Sequence, residues 1–244
     1  SAAKALIGQL NIRVERAKRF KSGQAVLVRV ISNQVARSVR LADLSILTPK
    51  VGDVLVCLIG QNASLKIEVI KIPHSLDKKW IVVNAGGLVG EPYFELNESS
   101  LIVEYLGSLV NDNRLVGLRD QLPKICAIEK PLIAVIGTDT DAGKTVTAVK
   151  VIRELKQLGL SVGACKLTGI YGDDVLSYAE AGADQIIDFS DAGLASTVCE
   201  KSVALRAAMK CVSALQKNDV IVAEFGSALL SGHPISAILK LFDQ

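Results

Sequence analysis

Aromatic residues are scarce in this chain, 4% of 244 residues with a single tryptophan, which argues against a surface built to stack nucleic-acid bases. Neither sign of charge is in excess. The formal net charge is only +3, too little to suggest electrostatic capture of nucleic acid. Arg13, Arg16, Lys18, Arg19 and Lys21 form one basic stretch, which reads as the solvated face of a helix. Five cysteines, at 57, 126, 165, 199 and 211, are odd in number and contain no CxxC pair. That spacing indicates neither a disulfide framework nor a zinc site. The two histidines, His74 and His233, lie far apart and no HExxH pattern occurs. No run reaches the roughly 18 apolar residues of a membrane span, and the start lacks the apolar core and cleavage pattern of a signal peptide. These absences predict a soluble protein of the reducing cytoplasm, without nucleic-acid or membrane partners.

What is present is apolar: half of the residues are hydrophobic, which excludes a disordered or fibrous chain. The pattern changes near residue 130. Before it, runs at 25–31, 54–59, 65–72 and 80–83 read as short strands, interrupted by Gly52, Asp53, Gly60 and Pro73. Such strands predict a small barrel or sandwich, and a β-rich domain over 1–105. The glycines of segment 84–90 suit a flexible turn or a close approach of backbone to a ligand. Residues 106–130, with Pro123 in their later part, read as a linker.

From 131 to 244 strands and helices alternate. Strands are expected at 132–136, 160–165, 185–189 and 220–223, and helices at 144–158, 174–181 and 203–216. This rhythm predicts an α/β class: a P-loop NTPase parallel sheet flanked by helices, preceded by the small β-rich domain.

The motif that carries chemistry is Gly137-Thr138-Asp139-Thr140-Asp141-Ala142-Gly143-Lys144-Thr145. Gly137 lets the chain leave its strand sharply, and Gly143 removes a side chain where backbone N–H groups must face phosphate oxygens. The following helix aims its positive end at the same anion. Lys144 can reach the β- and γ-phosphates, and the Thr145 hydroxyl is placed to ligate magnesium. Five residues separate Gly137 from Gly143, one more than the usual G-x4-G-K-[ST] signature allows.

That extra residue is shared with one family. The loop resembles the GTDTxxGKT loop of dethiobiotin synthetase, which belongs to a wider P-loop class with chromosome-partitioning ATPases and the GTP-binding partner of molybdenum-cofactor synthesis. The resemblance runs through Gly226. It implies ATP and magnesium as cofactors; ATP over GTP rests on the family comparison alone, and no N/TKxD guanine motif appears. In the family a lysine at the end of the next strand faces the reacting phosphate. Lys166 matches it, although Leu167 stands where the family has proline. The resemblance also implies a magnesium-binding acid after that strand, so Asp173 and Asp174 are candidates; either also suits a helix N-cap. Glu224 ends an apolar strand, as a Walker-B acid does, and the family shows Glu-Gly-Ala-Gly where this chain has Glu224-Phe225-Gly226-Ser227. Asp188, Ser190 and Asp191 follow a strand on the expected ligand edge, as substrate contacts or as a turn.

Only 18 residues follow Gly226, few for completing the family's sheet and covering a base. The expectation is a domain truncated at its end, or one that borrows structure from a second copy as a homodimer. With its added β domain the chain looks more like a two-domain group built on a dethiobiotin-synthetase-like unit than like the biotin enzyme. The expected function is ATP- and magnesium-dependent phosphoryl transfer or ligation on an unidentified small molecule, with Lys144, Lys166 and Glu224 as catalytic residues. The alternative is a nucleotide-regulated binding or scaffold module with slow turnover.

Overall fold

The computed structural model describes residues 12–17, 19–40, 45–62, 69–76, 79–83, 86–95, 100–170, 174–227, 229 and 232–242. They fall into two compact units, Ser1–Arg119 and Asp120–Gln244.

The first unit is built from β1 (Arg13–Glu15), β2 (Ala25–Ser32), β3 (Val39–Arg40), β4 (Ile46–Leu47), β5 (Val54–Ile59), β6 (Ile70–Lys71), β7 (Trp80–Val82), β8 (Leu88–Pro92), β9 (Leu101–Asn111) and β10 (Arg114–Leu115). Five of these strands close a barrel in the order β9, β2, β5, β8, β7 and back to β9. All neighbours are antiparallel except β5 and β8. Closure follows from period-two patterning: alternate residues of β2 and β5 (Val26, Val28, Val30; Leu55, Cys57, Ile59) point inward and are buried. Trp80, Phe20 and Tyr105 plug the interior with centroids 5.0–5.3 Å apart, the two contacts of Phe20 edge-on. Outside, Arg29 faces Glu104 across the β2–β9 pair at 2.8 Å, an exposed ion pair worth well under about 1 kcal/mol.

The second unit runs β11 (Leu132–Val135), α1 (Lys144–Gln157), β12 (Val162–Thr168), α2 (Val175–Glu180), β13 (Gln185–Asp188), α3 (Lys201–Ala214), β14 (Val220–Phe225) and α4 (Ile235–Leu239). Its strands form a four-stranded parallel sheet ordered β11-β14-β12-β13. Ala148, Ile152 and Tyr178 pack on one face, against Val135, Val162, Ala164, Val220 and Val222. Ala207, Ala208, Cys211 and Ile235 pack on the other, against Cys165, Leu167, Ile221, Ala223 and Phe225. Gly159 ends α1 at φ 79°, with Gly159 N–H on the Lys156 carbonyl and Leu160 N–H on that of Leu155. This is a Schellman closure, which requires the left-handed residue that glycine supplies.

The fold class expected from the sequence is corrected. The chain is sheet-rich, 34% strand against 19% helix, with a closed five-strand barrel and a small parallel sheet, rather than a P-loop α/β sheet flanked by helices. The βα rhythm holds only after residue 131, where its sheet stops at four strands, while the larger sheet of the chain is mostly antiparallel. The domain limits shift as well. Residues 106–111, read as linker, continue the eleven-residue β9, and the two units meet at Arg119 and Asp120. Residues 121–130 are tied into the second unit by Cys126 N–H on Ser213 Oγ and by Glu129 N–H on Gln216 Oε1. Half of the expected strand at 65–72, residues 65–68, lies outside the described residues, as do residues 84–85 of the glycine segment. That segment's later part is strand β8. Among the described residues no helix is long and apolar enough to cross a membrane.

Gly90 shows what barrel closure requires. A Cβ there would stand 2.6 Å from the Lys71 carbonyl oxygen and 3.0 Å from that of Gly60, and backbone cannot swing aside as a side chain can. Gly90→Ala is expected to lower barrel stability by about 1–3 kcal/mol. Trp80, the sole tryptophan and fully buried in the barrel, reports this in urea titrations followed by fluorescence. An unchanged midpoint would show that β6 and β8 can spread without cost.

Candidate functional site

In the parallel sheet, register neighbours point to the same face. One face carries Val220 and Val222 of β14, with Val162 and Ala164 of β12 beside them, all buried. The next rung along that face changes character: Val135 pairs with Glu224, Glu224 with Lys166, and Lys166 with Asp188. An apolar layer thus ends in a row of two acids and a lysine at the carboxyl ends of the strands, where ligands of parallel sheets bind.

The chain from β11 to α1 crosses this edge as a largely exposed loop, residues 136–143. Gly137 is required by close approach: a Cβ there would lie 2.8 and 2.9 Å from Cγ and Cδ of Lys144. Asp141 and Gly143 take left-handed φ values of 63° and 79°. This bends the loop back so that the Lys144 stem passes over Gly137. Lys144 is buried, and its ammonium donates to the carbonyl oxygen of Asp139 within the same loop. The first turn of α1 contains no acidic residue, so its positive end is not neutralised locally. Asp139 turns its carboxylate to Thr140 N–H at 2.7 Å.

Glu224 is the hub. It is 2% exposed. Its Oε1 accepts from Thr145 Oγ1 at 3.0 Å and lies 3.8 Å from the Lys166 ammonium. Its Oε2 accepts from Tyr178 OH at 2.6 Å. Burial first, and the Glu224 charge second, push the Tyr178 phenol far above its ordinary value, so it remains a donor. Lys166 forms its close ion pair with Asp174, the residue just before α2. Its stem passes Gly226, where a Cβ would come within 2.8 Å of Lys166 Cε.

At the row's end, Asp188 is buried and accepts from Ser190 N–H at 2.6 Å and from the Ser190 hydroxyl. Its own N–H donates to Asp191 Oδ2 at 2.9 Å. Residues 188–191 therefore close a turn through Asx-type bonds. Burial raises the Asp188 carboxyl above the usual range, with Asp191 adding to the effect and the Ser190 bonds opposing it.

Of the residues singled out from sequence, Thr145 and Lys166 converge on the Glu224 carboxylate, and Lys144 precedes Thr145 at the loop's end. Asp174 answers Lys166 rather than the acids; Asp173 lies outside the described residues. Among the described residues no group of three or more His, Cys, Asp or Glu side chains could hold a metal ion. Sequence reasoning missed Tyr178, whose signal was its place four residues after Asp174, on the same helical face. It also missed His233, whose Nδ1 lies 2.7 Å from Thr197 Oγ1, itself bonded to Gly169 N–H at 2.9 Å. Nothing in the local sequence marks that long-range pairing.

Burial, helped by the Lys166 charge, lowers the His233 imidazole to about 4. The native ring is then neutral, while the unfolded ring titrates near 6.5. The unfolded state binds more protons between those values, so this contribution is complete above about pH 6.5 and is lost as pH falls toward 4. The loss is on the order of 2–3 kcal/mol. His233→Asn keeps a polar partner for Thr197 and removes the titration. It is expected to flatten the pH dependence of chemical unfolding, read by circular dichroism, over this window; an unchanged slope would refute the assignment.

No protein-family model, curated protein or solved structure matches the chain.

Proposed function

We propose that the 137–145 loop is a phosphate-binding loop for a nucleoside triphosphate with magnesium. The chain then acts as an ATP- and magnesium-dependent phosphoryl-transfer or ligase enzyme on a small molecule, in the manner of the dethiobiotin synthetase that its loop resembles. The observation that carries this reading is Lys144, a lysine 7% exposed at the start of a helix, whose hydrogen-bond partner is a carbonyl of its own loop. Among the described residues no carboxylate pairs with it, and a buried cation so placed is costly unless an anion is to join it.

The residues present fit both groups. Lys144 and the N–H groups opening α1 would hold phosphate, since the absent Cβ of Gly137 leaves the lysine its path. Thr145 and Glu224 would hold magnesium: both offer oxygen, and this ion is commonly bound through one or two carboxylates together with substrate phosphates. Magnesium, when bound, supplies charge neutralisation on the phosphate oxygens. The remaining roles belong to the chain. Lys166 brings a second cation to the same edge, held beside Glu224 and balanced by Asp174. Its position suits stabilisation of charge on a transferring phosphoryl group. The five cysteines are free thiols, and the proposed compartment is the cytoplasm.

Lys144→Ala removes one charge-assisted contact, worth about 1.5–3 kcal/mol, or roughly ten- to a hundredfold in affinity. Calorimetric titration of the full chain with a non-hydrolysable ATP analogue and magnesium is expected to show that loss. A wild-type chain that binds no nucleotide, or a variant that binds as tightly, would overturn the reading.

A further inference from the structure

Glu224 is held by more than the strand that carries it. A carboxylate rotates readily about its last side-chain bond, a broad and roughly two-fold torsion, so backbone position alone does not decide which oxygen faces which neighbour. Here each oxygen has its own hydroxyl. Thr145, from α1, donates to Oε1 at 3.0 Å, and Tyr178, from α2, donates to Oε2 at 2.6 Å. The two donors differ in kind. Thr145 stands in the loop-to-helix turn and has the second role already described. Tyr178 is 1% exposed, packed with Ala148, Ile152 and Ala164 in the apolar layer under α1. Phenylalanine would fill that space as well, without an oxygen to desolvate. A phenol at such a place calls for a specific acceptor, and the acceptor is Oε2 of Glu224.

We propose that Tyr178 is the positioning residue of Glu224: its phenol fixes Oε2 and so presents Oε1 to Thr145, setting the magnesium dependence of nucleotide binding from α2. This rests on the proposed nucleotide site and adds a residue to it that does not touch nucleotide. The same helix reinforces the arrangement. Asp174 and Tyr178 stand four residues apart at its start and along one face. One pairs with Lys166 and the other with Glu224, so one short segment governs both charges at the centre of the row. With Oε2 released, the carboxylate can turn toward Lys166, which already lies 3.8 Å from Oε1. Thr145 then loses its acceptor although neither Thr145 nor Glu224 has been altered.

The test is Tyr178→Phe in the full chain. Binding of a non-hydrolysable ATP analogue is followed by calorimetry, once in EDTA and then across a magnesium series. The expected result is affinity in EDTA within about twofold of wild type, while the magnesium concentration for half-maximal tightening rises about tenfold. In Glu224→Gln the same series is shifted, and adding Tyr178→Phe to it is expected to change nothing further, because the phenol acts only through the carboxylate. Far-UV circular dichroism melting separates a folding defect, which would weaken binding in EDTA and in magnesium alike and overturn the positioning role. Unchanged magnesium dependence in Tyr178→Phe, or additive effects of the two substitutions, would also overturn it while leaving the nucleotide site standing. A wild-type chain that binds the analogue under neither condition overturns the nucleotide site and this role together.

Discussion

The second unit is organised around the cost of burying one carboxylate. Glu224 lies in β14, a strand whose six residues are all buried, and its neighbour in the chain, Phe225, belongs to the apolar core. An ionised group in that setting loses several kcal/mol of hydration. Only hydrogen bonds and opposite charge recover this loss, each contributing about 1.5–3 kcal/mol when one partner is ionised. Thr145, Tyr178 and Lys166 supply those contacts from α1, α2 and β12. The arrangement is therefore strongly interdependent, because deleting one contact leaves the others with a charge they cannot satisfy. An apolar residue of similar volume would often be as stable or more so. A fold that keeps the acid accepts that cost for a reason other than stability.

Two glycines make the row sterically possible, and each serves a lysine. Gly137 leaves a slot through which Lys144 reaches the loop carbonyls, and Gly226 leaves one for the end of Lys166. Gly226 is also pinned by backbone, since a Cβ there would lie 2.3 Å from the Thr168 carbonyl oxygen. Its own N–H donates to that oxygen at 3.0 Å, while Thr168 Oγ1 donates back to the Gly226 carbonyl at 2.9 Å. The strand ends of β12 and β14 are thus locked just beyond Lys166 and Glu224, where register shifts between Lys166 and Thr168. Local rigidity at this point holds the lysine and the acid side by side.

Legibility from sequence followed the range of each interaction. The loop, α1 and the apolar strands were readable because glycine placement, 3.6-residue periodicity and continuous apolar runs are local signals. The expected strands stop at 165 and 223, with Glu224 as the acid closing the second, and β12 and β14 extend through Lys166 and Glu224. A charge at the last rung of a buried strand looks like a loop residue until its partners are known. Barrel and sandwich stayed open for a related reason: closure depends on β9 pairing with β2 and β7, contacts between segments far apart in sequence. The break placed at 106 fell inside β9, whose run Leu106-Gly107-Ser108 is interior strand. The partners of Tyr178 and His233, Glu224 and Thr197, lie on other elements, and only Tyr178 had a local signal, its spacing from Asp174.

The two lysines of the site differ in what already surrounds them, and this asymmetry sets the order in which charge can be accommodated. Lys166 is answered by Asp174 and stands near Glu224, so its field is largely spent within the protein. Lys144 has a carbonyl dipole for a partner and the acid-free first turn of α1 around it. A carbonyl lowers the cost of burying an ammonium but does not cancel its charge. In the proposed function an incoming anion gains most by meeting Lys144 and the loop first, where no ion pair among the described residues has to break. Lys166 can turn toward added negative charge only by giving up Asp174, so its engagement requires more charge than binding alone brings. Under the proposed function, a site so divided would keep one cation for capture and reserve the other for charge that grows during reaction.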